Sequence, residues 1–553
     1  MLPTLAAPFA LFAAATPTLA RPAPAAPAPA LSVETLKSVT KELSSDAYEG
    51  RAPTTPAEKK TIDYIVARMQ AAGLKPGNAG KWTQDVPMVA ITAKDVSAMT
   101  FTGAGPSATP LSLQYGSQMV IGTHRVVPGI AVKDSPVVFV GYGVNAPEKG
   151  WNDYAGLDVK GKTVVILSND PDWMAKDRTG LFNGREMTYY GRWTYKYEEA
   201  ARQGATAAII VHDTEPAAYP WAVVQSSWTG EQYELAAEND HMDQNQAIGW
   251  IQLDKARALF AGAGQDFDAL SKAAAVKGFR AVPLGVTMSV SFDNAIRRSL
   301  SHNVVGVLPG TSAPQDVVLY SAHWDHLGHC QPVDGDGICN GAVDNATGIA
   351  GLVAMAEAFA RAPRTKRSVA FLAVTAEESG LLGSDYYASH PVFPLARTVG
   401  GVNMDVLNVL GPVRDFEITG AGKSELEDLV KPIVAAQGRT IAAEDTPEKG
   451  HYFRSDHFSF AKRGVPMLAA GSGLDLVDGG IAAGKAASED YVAHRYHKPQ
   501  DEYRADWNWG GAIQDLTVYY RLGRLLADGN MWPNWYPGAE FRAIRDRSRT
   551  GAK

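Results

Sequence analysis

The sequence predicts an α/β protein: a mixed, largely parallel sheet flanked by helices, interrupted by an inserted β-rich domain. Two observations carry this. From Asn303 onward, runs that are apolar on both faces (Val317 to Ala322, Ser368 to Val374, Val399 to Met404) alternate with helical spacing. The clearest helix carries Ile349, Leu352, Val353, Ala356, Phe359 and Ala360, and Pro363 follows it. Strands without a polar face must be covered on both sides, as crossover helices cover a parallel sheet. Between roughly 130 and 285 the texture changes to short β-rich runs: Pro136 to Val140, Lys162 to Leu167 and Ala207 to Val211. A short helix is expected there over Tyr197 to Gln203, stopped by Gly204.

With 553 residues the chain exceeds one compact domain. Its 45% hydrophobic and 20% charged residues exclude a disordered or fibrous protein. The net charge of −7, with no long basic run, argues against nucleic-acid partners. Two cysteines are too few for a disulfide scaffold or a Cys-rich zinc ribbon. Any metal site must therefore be made from His and carboxylates.

The first residues read as a signal peptide over 1–20. Leu5 to Ala15 is apolar and Thr18-Leu19-Ala20 ends in small residues, although no Lys or Arg precedes Arg21. A Pro/Ala linker over 21–30 follows. From Leu31 the pattern turns helical, with Tyr64, Ile65, Met69 and Ala72 on one face and Gly73 as the stop. No later segment has the roughly 18 consecutive apolar residues of a membrane helix. The expectation is a soluble exported protein, periplasmic or secreted, with no integral membrane segment after signal removal. Residues 31–129 and 286–545 would form one discontinuous domain around the insert at 130–285, with a tail at 546–553.

The chemistry gathers at strand ends. After the first strand of the C-terminal half come His323, Asp325 and His326; after the second, Glu377 and Glu378; after the third, Asp405. Ligand sites of open α/β sheets form beyond the carboxyl ends of the strands. A lone Asp in such a place is ordinarily a cap, and a Glu pair ordinarily solvated. Three strands delivering metal-ligand chemistry to one edge favours a metal site. Asp344 precedes the amphipathic helix, where it or Asn345 could simply cap it. A loop far downstream carries Tyr496-His497-Lys-Pro-Gln-Asp501.

In this order, His323-x-Asp325, Gly341-Ala-x-Asp344-Asn345, Glu377-Glu378, Asn403-Met-Asp405 and Tyr496-His497 resemble the co-catalytic zinc aminopeptidases. That superfamily also includes glutamate carboxypeptidases and the transferrin receptor. The resemblance covers most of residues 31–545 and implies a zinc exopeptidase fold with a protease-associated domain as the insert. It implies two Zn²⁺ ions per chain, one held by His323 and Asp405, the other by Glu378 and His497, with Asp344 bridging and a position left for water. Asp325 would orient the imidazole of His323, Glu377 would be the general base, and Tyr496 would donate to the oxyanion. The resemblance also places a cis peptide at Asp344-Asn345. Cys330 and Cys339 are expected to pair in an oxidising compartment.

Other patterns weigh less. In an irregular loop, His323, His326 and His329 should not converge, so His326 and His329 are expected outside the ligand shell. Asp334-Gly-Asp336-Gly337 fails as an EF-hand because Ile338 and Cys339 stand where ligand and glycine belong. Ser455-Asp456-His457 is expected to line or support the substrate pocket. The function expected is a zinc metallo-aminopeptidase acting on peptides with a free N-terminus. Its rivals are a carboxypeptidase or dipeptidase, which needs a basic cluster for the C-terminal carboxylate, and a non-catalytic ectodomain, which would have lost ligands. The H-x-H-x-D-H pattern of metallo-β-lactamases is broken by Ser321.

Overall fold

The computed structural model describes residues 31–103 and 110–550, so the expected signal peptide and linker lie outside the described residues. The C-terminal half and the segments before residue 95 form the larger body. Its strands are β1 (Thr83–Lys94), β2 (Val282–Leu308), β3 (Ala313–His323), β4 (Arg367–Val374), β5 (Thr398–Asn403), β6 (Asp415–Ile418), β7 (Thr440–Ala442) and β8 (Met467–Ser472). They lie side by side in the order β1-β2-β4-β3-β5-β8-β6-β7. The central four, β4, β3, β5 and β8, are mutually parallel. β2 runs antiparallel to β4 and β6 antiparallel to β8, making the sheet mixed.

Both faces of β4 and β5 and of the second half of β3 are buried, as their continuous apolar runs require. Val318, Tyr320 and Ala322 of β3 point to one face. There they meet α1 (Val33–Leu43), α2 (Pro56–Ala71), α3 (Thr347–Arg361), α4 (Leu426–Ala435) and α5 (Gly510–Asp528). Val317 and Leu319 point to the other, against the helix Leu382–Ser389 and Phe460. The Tyr320 hydroxyl donates to the Tyr519 carbonyl at 2.7 Å, and α5 admits it because residue 523 is glycine. A Cβ there would lie 1.7 Å from that oxygen.

The insert is richer in helix than its sequence texture suggests. Gly129–Phe139, Thr163–Leu167, Ala207–His212 and Ala247–Gln252 form a parallel sheet, bordered by antiparallel Met119–Gly122. Helices Trp193–Arg202 and Leu253–Gly262 cover it. Its core draws on Met99, Phe101, Leu113 and Met119, so its packing begins well before residue 130. At the other end β2 crosses the expected boundary without a break. Its first part pairs with Met99–Gly103 and Gly129–Phe139, its middle with β1, and its last residues with β4.

The insert is tied to the larger body at a second place. The Met187 N–H donates to the Pro447 carbonyl at 3.1 Å, and Lys462 pairs with Glu198 at 2.8 Å. The Tyr189 ring packs between Phe453 and Phe458. The expected C-terminal tail is instead helical through residue 550, over Arg542–Thr550. Buried Arg545 anchors it by donating to the carbonyls of Thr398 and Val399 at 3.0 and 2.9 Å. Among the described residues, no helix is long and apolar enough to cross a membrane.

Candidate active site

β3, central among its neighbours, ends in His323; β4 is followed by Glu377 and Glu378, and β5 by Asp405. Asp344 comes from the turn before α3, and its bond to Asn345 is cis. His497 is brought in by the distant loop. His323 Nε2 lies 3.3 Å from Asp344 Oδ1 and 3.2 Å from Asp405 Oδ1. His497 Nε2 lies 3.4 Å from Asp344 Oδ2 and 3.0 Å from Glu378 Oε2. The two oxygens of Asp344 thus face two different groups of ligand atoms. Tyr496 stacks on His497, ring centroids 3.8 Å apart, with its own edge exposed.

His326 does not stand clear of the cluster as its spacing suggests. Its Nδ1 lies 2.6 Å from Glu378 Oε1, and its ring meets that of His497 edge-on at 5.6 Å. His326, Asp344 and Glu378 offer atoms close enough together to share one ion, as do His323, Asp344 and Asp405. His329 is exposed on the hairpin Gly328–Val333/Asp336–Cys339, closed by a Cys330–Cys339 disulfide. The Asp334-Gly335 pair forms that hairpin's two-residue turn, both residues at positive φ, which is why the acidic run there is a turn and not a calcium loop.

Around the ligands, side chains hold loops in place. Asp325 accepts the Glu377 and Glu378 N–H groups at 3.1 and 3.4 Å, fixing the turn that presents both glutamates. The nearest acceptor for His323 Nδ1 is the Asp325 main-chain carbonyl at 3.1 Å, with the carboxylate at 3.7 Å. Asp501 accepts the Val343 and Asp344 N–H groups at 3.1 and 3.0 Å. Asn345 joins the Asp344 turn to the Asp405 loop, donating to the Met404 carbonyl at 3.0 Å and accepting from Val406 N–H at 3.1 Å. Ser455 donates to Asp405 Oδ2 at 2.6 Å, so the Ser455-Asp456-His457 run supports a candidate ligand directly. Asp456 and His457 are buried.

Beneath them lies Arg51, which sequence reasoning passed over. It is 1% exposed and donates to the carbonyls of Trp324, Leu43, Asn340 and Gly341 at 2.6 to 2.9 Å. It thereby clamps the loops that carry His323 and Asp344. Burial lowers its pKa to about 10, partly offset by Asp501, Asp325, Asp344 and Glu378. Arg51→Met would strand these carbonyls, and breaking such a buried charged network costs on the order of 3–5 kcal/mol. Urea unfolding is expected to show that loss, and a midpoint unchanged from wild type would remove Arg51 from this role.

The electrostatics call for positive charge. Burial opposes protonation of His323, but Asp405, Glu377, Asp325 and Asp344 outweigh it and hold its pKa well above the ordinary value. Burial likewise opposes charge on His497, yet Asp344 and Glu378 lift it to about 10. Burial and Asp344 push Glu378 up, but His326 and His497 prevail and hold it at about 2. Against burial, the imidazoles of His323 and His497 keep Asp344 well below the carboxylate range. Glu377 differs: burial raises it well above that range, with His323 opposing and Asp405, Glu378 and Asp456 adding to the rise. Its carboxylate has no hydrogen-bond partner among the described residues.

The donors fit a metal. The ion pairs of these carboxylates among the described residues are with imidazoles, so the histidines must take up protons to balance them. Buried Nε2 atoms of His326 and His497 make no hydrogen bond, although Glu378 Oε2 is close to the latter. Mixed imidazole and carboxylate donors in threes are what catalytic zinc takes.

Residues 303–520 match the model described as peptidase family M28. The likeness to that family is carried by this segment. The M28 segment holds every candidate ligand. The mouse aminopeptidase NAALADL1 is 31% identical over 130 residues, 22% of this chain and 16% of that protein. A probable zinc metalloprotease of Pyrenophora teres f. teres is 32% identical over 104 residues, 19% of this chain and 22% of its own. The chain thus spans about a sixth to a fifth of these relatives. Two solved structures align along most of the chain. The aminopeptidase from Aneurinibacillus sp. strain AM-1 has a TM-score of 0.48 at 18% identity, covering 90% of this chain and 94% of its own. The zinc aminopeptidase of Bacillus subtilis has a TM-score of 0.41 at 18% identity, covering 92% and 99%.

Proposed function

We propose that this M28 protein is an exported zinc metallo-aminopeptidase that releases N-terminal residues from peptides. The observation that carries the reading is Asp344, whose two oxygens face separate ligand groups beside an unpaired Glu377. His323 and Asp405 would hold one zinc ion, Glu378 and His497 a second, and Asp344 both. His326, bonded to Glu378, would keep that carboxylate aimed. When bound, the ions would polarise the scissile carbonyl and make water nucleophilic at neutral pH.

The chain's own groups do the rest. Glu377 takes a proton from the attacking water and passes it to the leaving amine. Its raised proton affinity suits both halves of that transfer. The Tyr496 hydroxyl donates to the oxyanion that forms at the carbonyl oxygen. Asp325 keeps Glu377 and Glu378 on opposite duties by holding both their N–H groups. The disulfide supports an oxidising compartment, periplasmic or extracellular. The insert is read as a protease-associated-like domain.

The test is hydrolysis of leucine p-nitroanilide beside its N-acetylated analogue, before and after chelation. The free amine substrate alone should be cleaved, chelation should abolish cleavage, and zinc or cobalt should restore it. Equal cleavage of the acetylated analogue would remove the aminopeptidase assignment; chelator-resistant activity would remove the metal.

A further inference from the structure

Two arginines stand at the junction of insert and catalytic body without acidic partners. Arg192 precedes the insert helix Trp193–Arg202. Arg454 is the residue before Ser455, which donates to the candidate ligand Asp405. The segments that carry them touch, the Tyr189 ring packing on Phe453, and after burial the Arg454 guanidinium helps bring Arg192 down to about 10. Both guanidiniums act on the Tyr219 hydroxyl, and Arg454 also on that of Tyr496.

Among the described residues neither guanidinium makes an ion pair or a hydrogen bond, and Arg192 Nε is buried without any partner. Arg454 is exposed and Arg192 half-buried, whereas the fully buried Arg51 and Arg545 are saturated by carbonyls. The junction is held by the Met187–Pro447 bond and the Lys462–Glu198 pair, so the arginines are kept together. The buried, unpartnered Arg192 Nε and the free Arg454 guanidinium together make a donor set that an anion would satisfy. A guanidinium fork matches a carboxylate, which can accept two parallel hydrogen bonds from it.

We infer that Arg192 and Arg454 bind a substrate carboxylate, making short peptides with a free C-terminus the preferred substrates. The inference rests on the peptidase reading above and adds the substrate class to it. Arg454 is one residue from a residue that touches the centre, and an extended peptide advances about 3.3–3.6 Å per residue. A short peptide whose amine sits at the centre therefore extends its carboxylate towards the arginines. The basic cluster that sequence alone could not locate is formed by one residue from each body.

The zinc-loaded protein should be assayed on Leu-Gly-Gly, its C-terminal amide, and leucine p-nitroanilide, with wild type, R192Q, R454Q and R454K. Hydrogen bonds to charged groups imply a kcat/KM about 10–100-fold higher for the acid than the amide. In R192Q and R454Q that ratio should collapse towards one, and R454K should recover part of it. A wild-type ratio near one, or a ratio untouched by either substitution, overturns the inference while anilide hydrolysis leaves the peptidase reading standing. Leu-Glu-NH₂ beside Leu-Gln-NH₂ separates the two carboxylate sources: an arginine-dependent preference for the glutamate amide that exceeds the C-terminal effect overturns the C-terminal assignment. If no peptide is cleaved, calorimetric titration of a reduced-bond leucyl-glycine and its amide still decides. Binding of the acid that R454Q weakens supports the arginine pair without the peptidase reading, and equal binding of acid and amide sinks it.

Discussion

Glu377→Gln is expected to lower turnover by about 10²–10⁴-fold, the ordinary contribution of general-base catalysis, while zinc content and unfolding midpoint stay near wild type. The glutamine keeps the size of the side chain and cannot accept a proton at neutral pH. Glu377 is suited to this role because its carboxylate has no partner and burial raises its proton affinity. Glu378→Gln should behave differently. Its carboxylate is already engaged by His326 and lies 3.0 Å from His497 Nε2, so its loss should show as reduced metal occupancy. Should Glu377→Gln shed metal and Glu378→Gln keep it, the two roles must be exchanged.

Asp344→Ala should be the most damaging ligand change. Every other candidate ligand faces one group of partners, whereas Asp344 faces His323 through Oδ1 and His497 through Oδ2. Its removal takes a negative charge from both groups at once and leaves two cations to repel each other with less compensation. Metal analysis after dialysis should find less than one zinc per chain, with activity below detection. A folded Asp344→Ala protein holding two zinc ions would show that the carboxylate is not shared. Circular dichroism separates that outcome from misfolding.

Much of this site was legible because His323, Glu377, Glu378 and Asp405 each follow an apolar strand, and these three strands lie side by side as β4-β3-β5. Asp344 and His497 were legible through the order of motifs and not through local pattern, since each alone resembles a cap or a loop residue. The contact of His326 with Glu378 was not legible because a spacing rule says nothing about where an irregular loop folds back. Arg51 left no signal: its four acceptors are main-chain carbonyls, which any sequence supplies. The boundary of the insert was blurred for a similar reason. β2 serves two sheets along one continuous strand, so no turn or composition change marks the crossing. Within the insert, strands such as Thr163–Leu167 and Ala207–His212 are buried throughout and parallel. The rule that predicted helices around the C-terminal sheet applied there as well.

Zinc titration into metal-free protein, with bound metal and leucine p-nitroanilide hydrolysis followed together, tests the paired site most directly. The account predicts tight binding that saturates at two equivalents per chain, with full activity reached at the second. Saturation at one equivalent, or full activity before any zinc is bound, would contradict it.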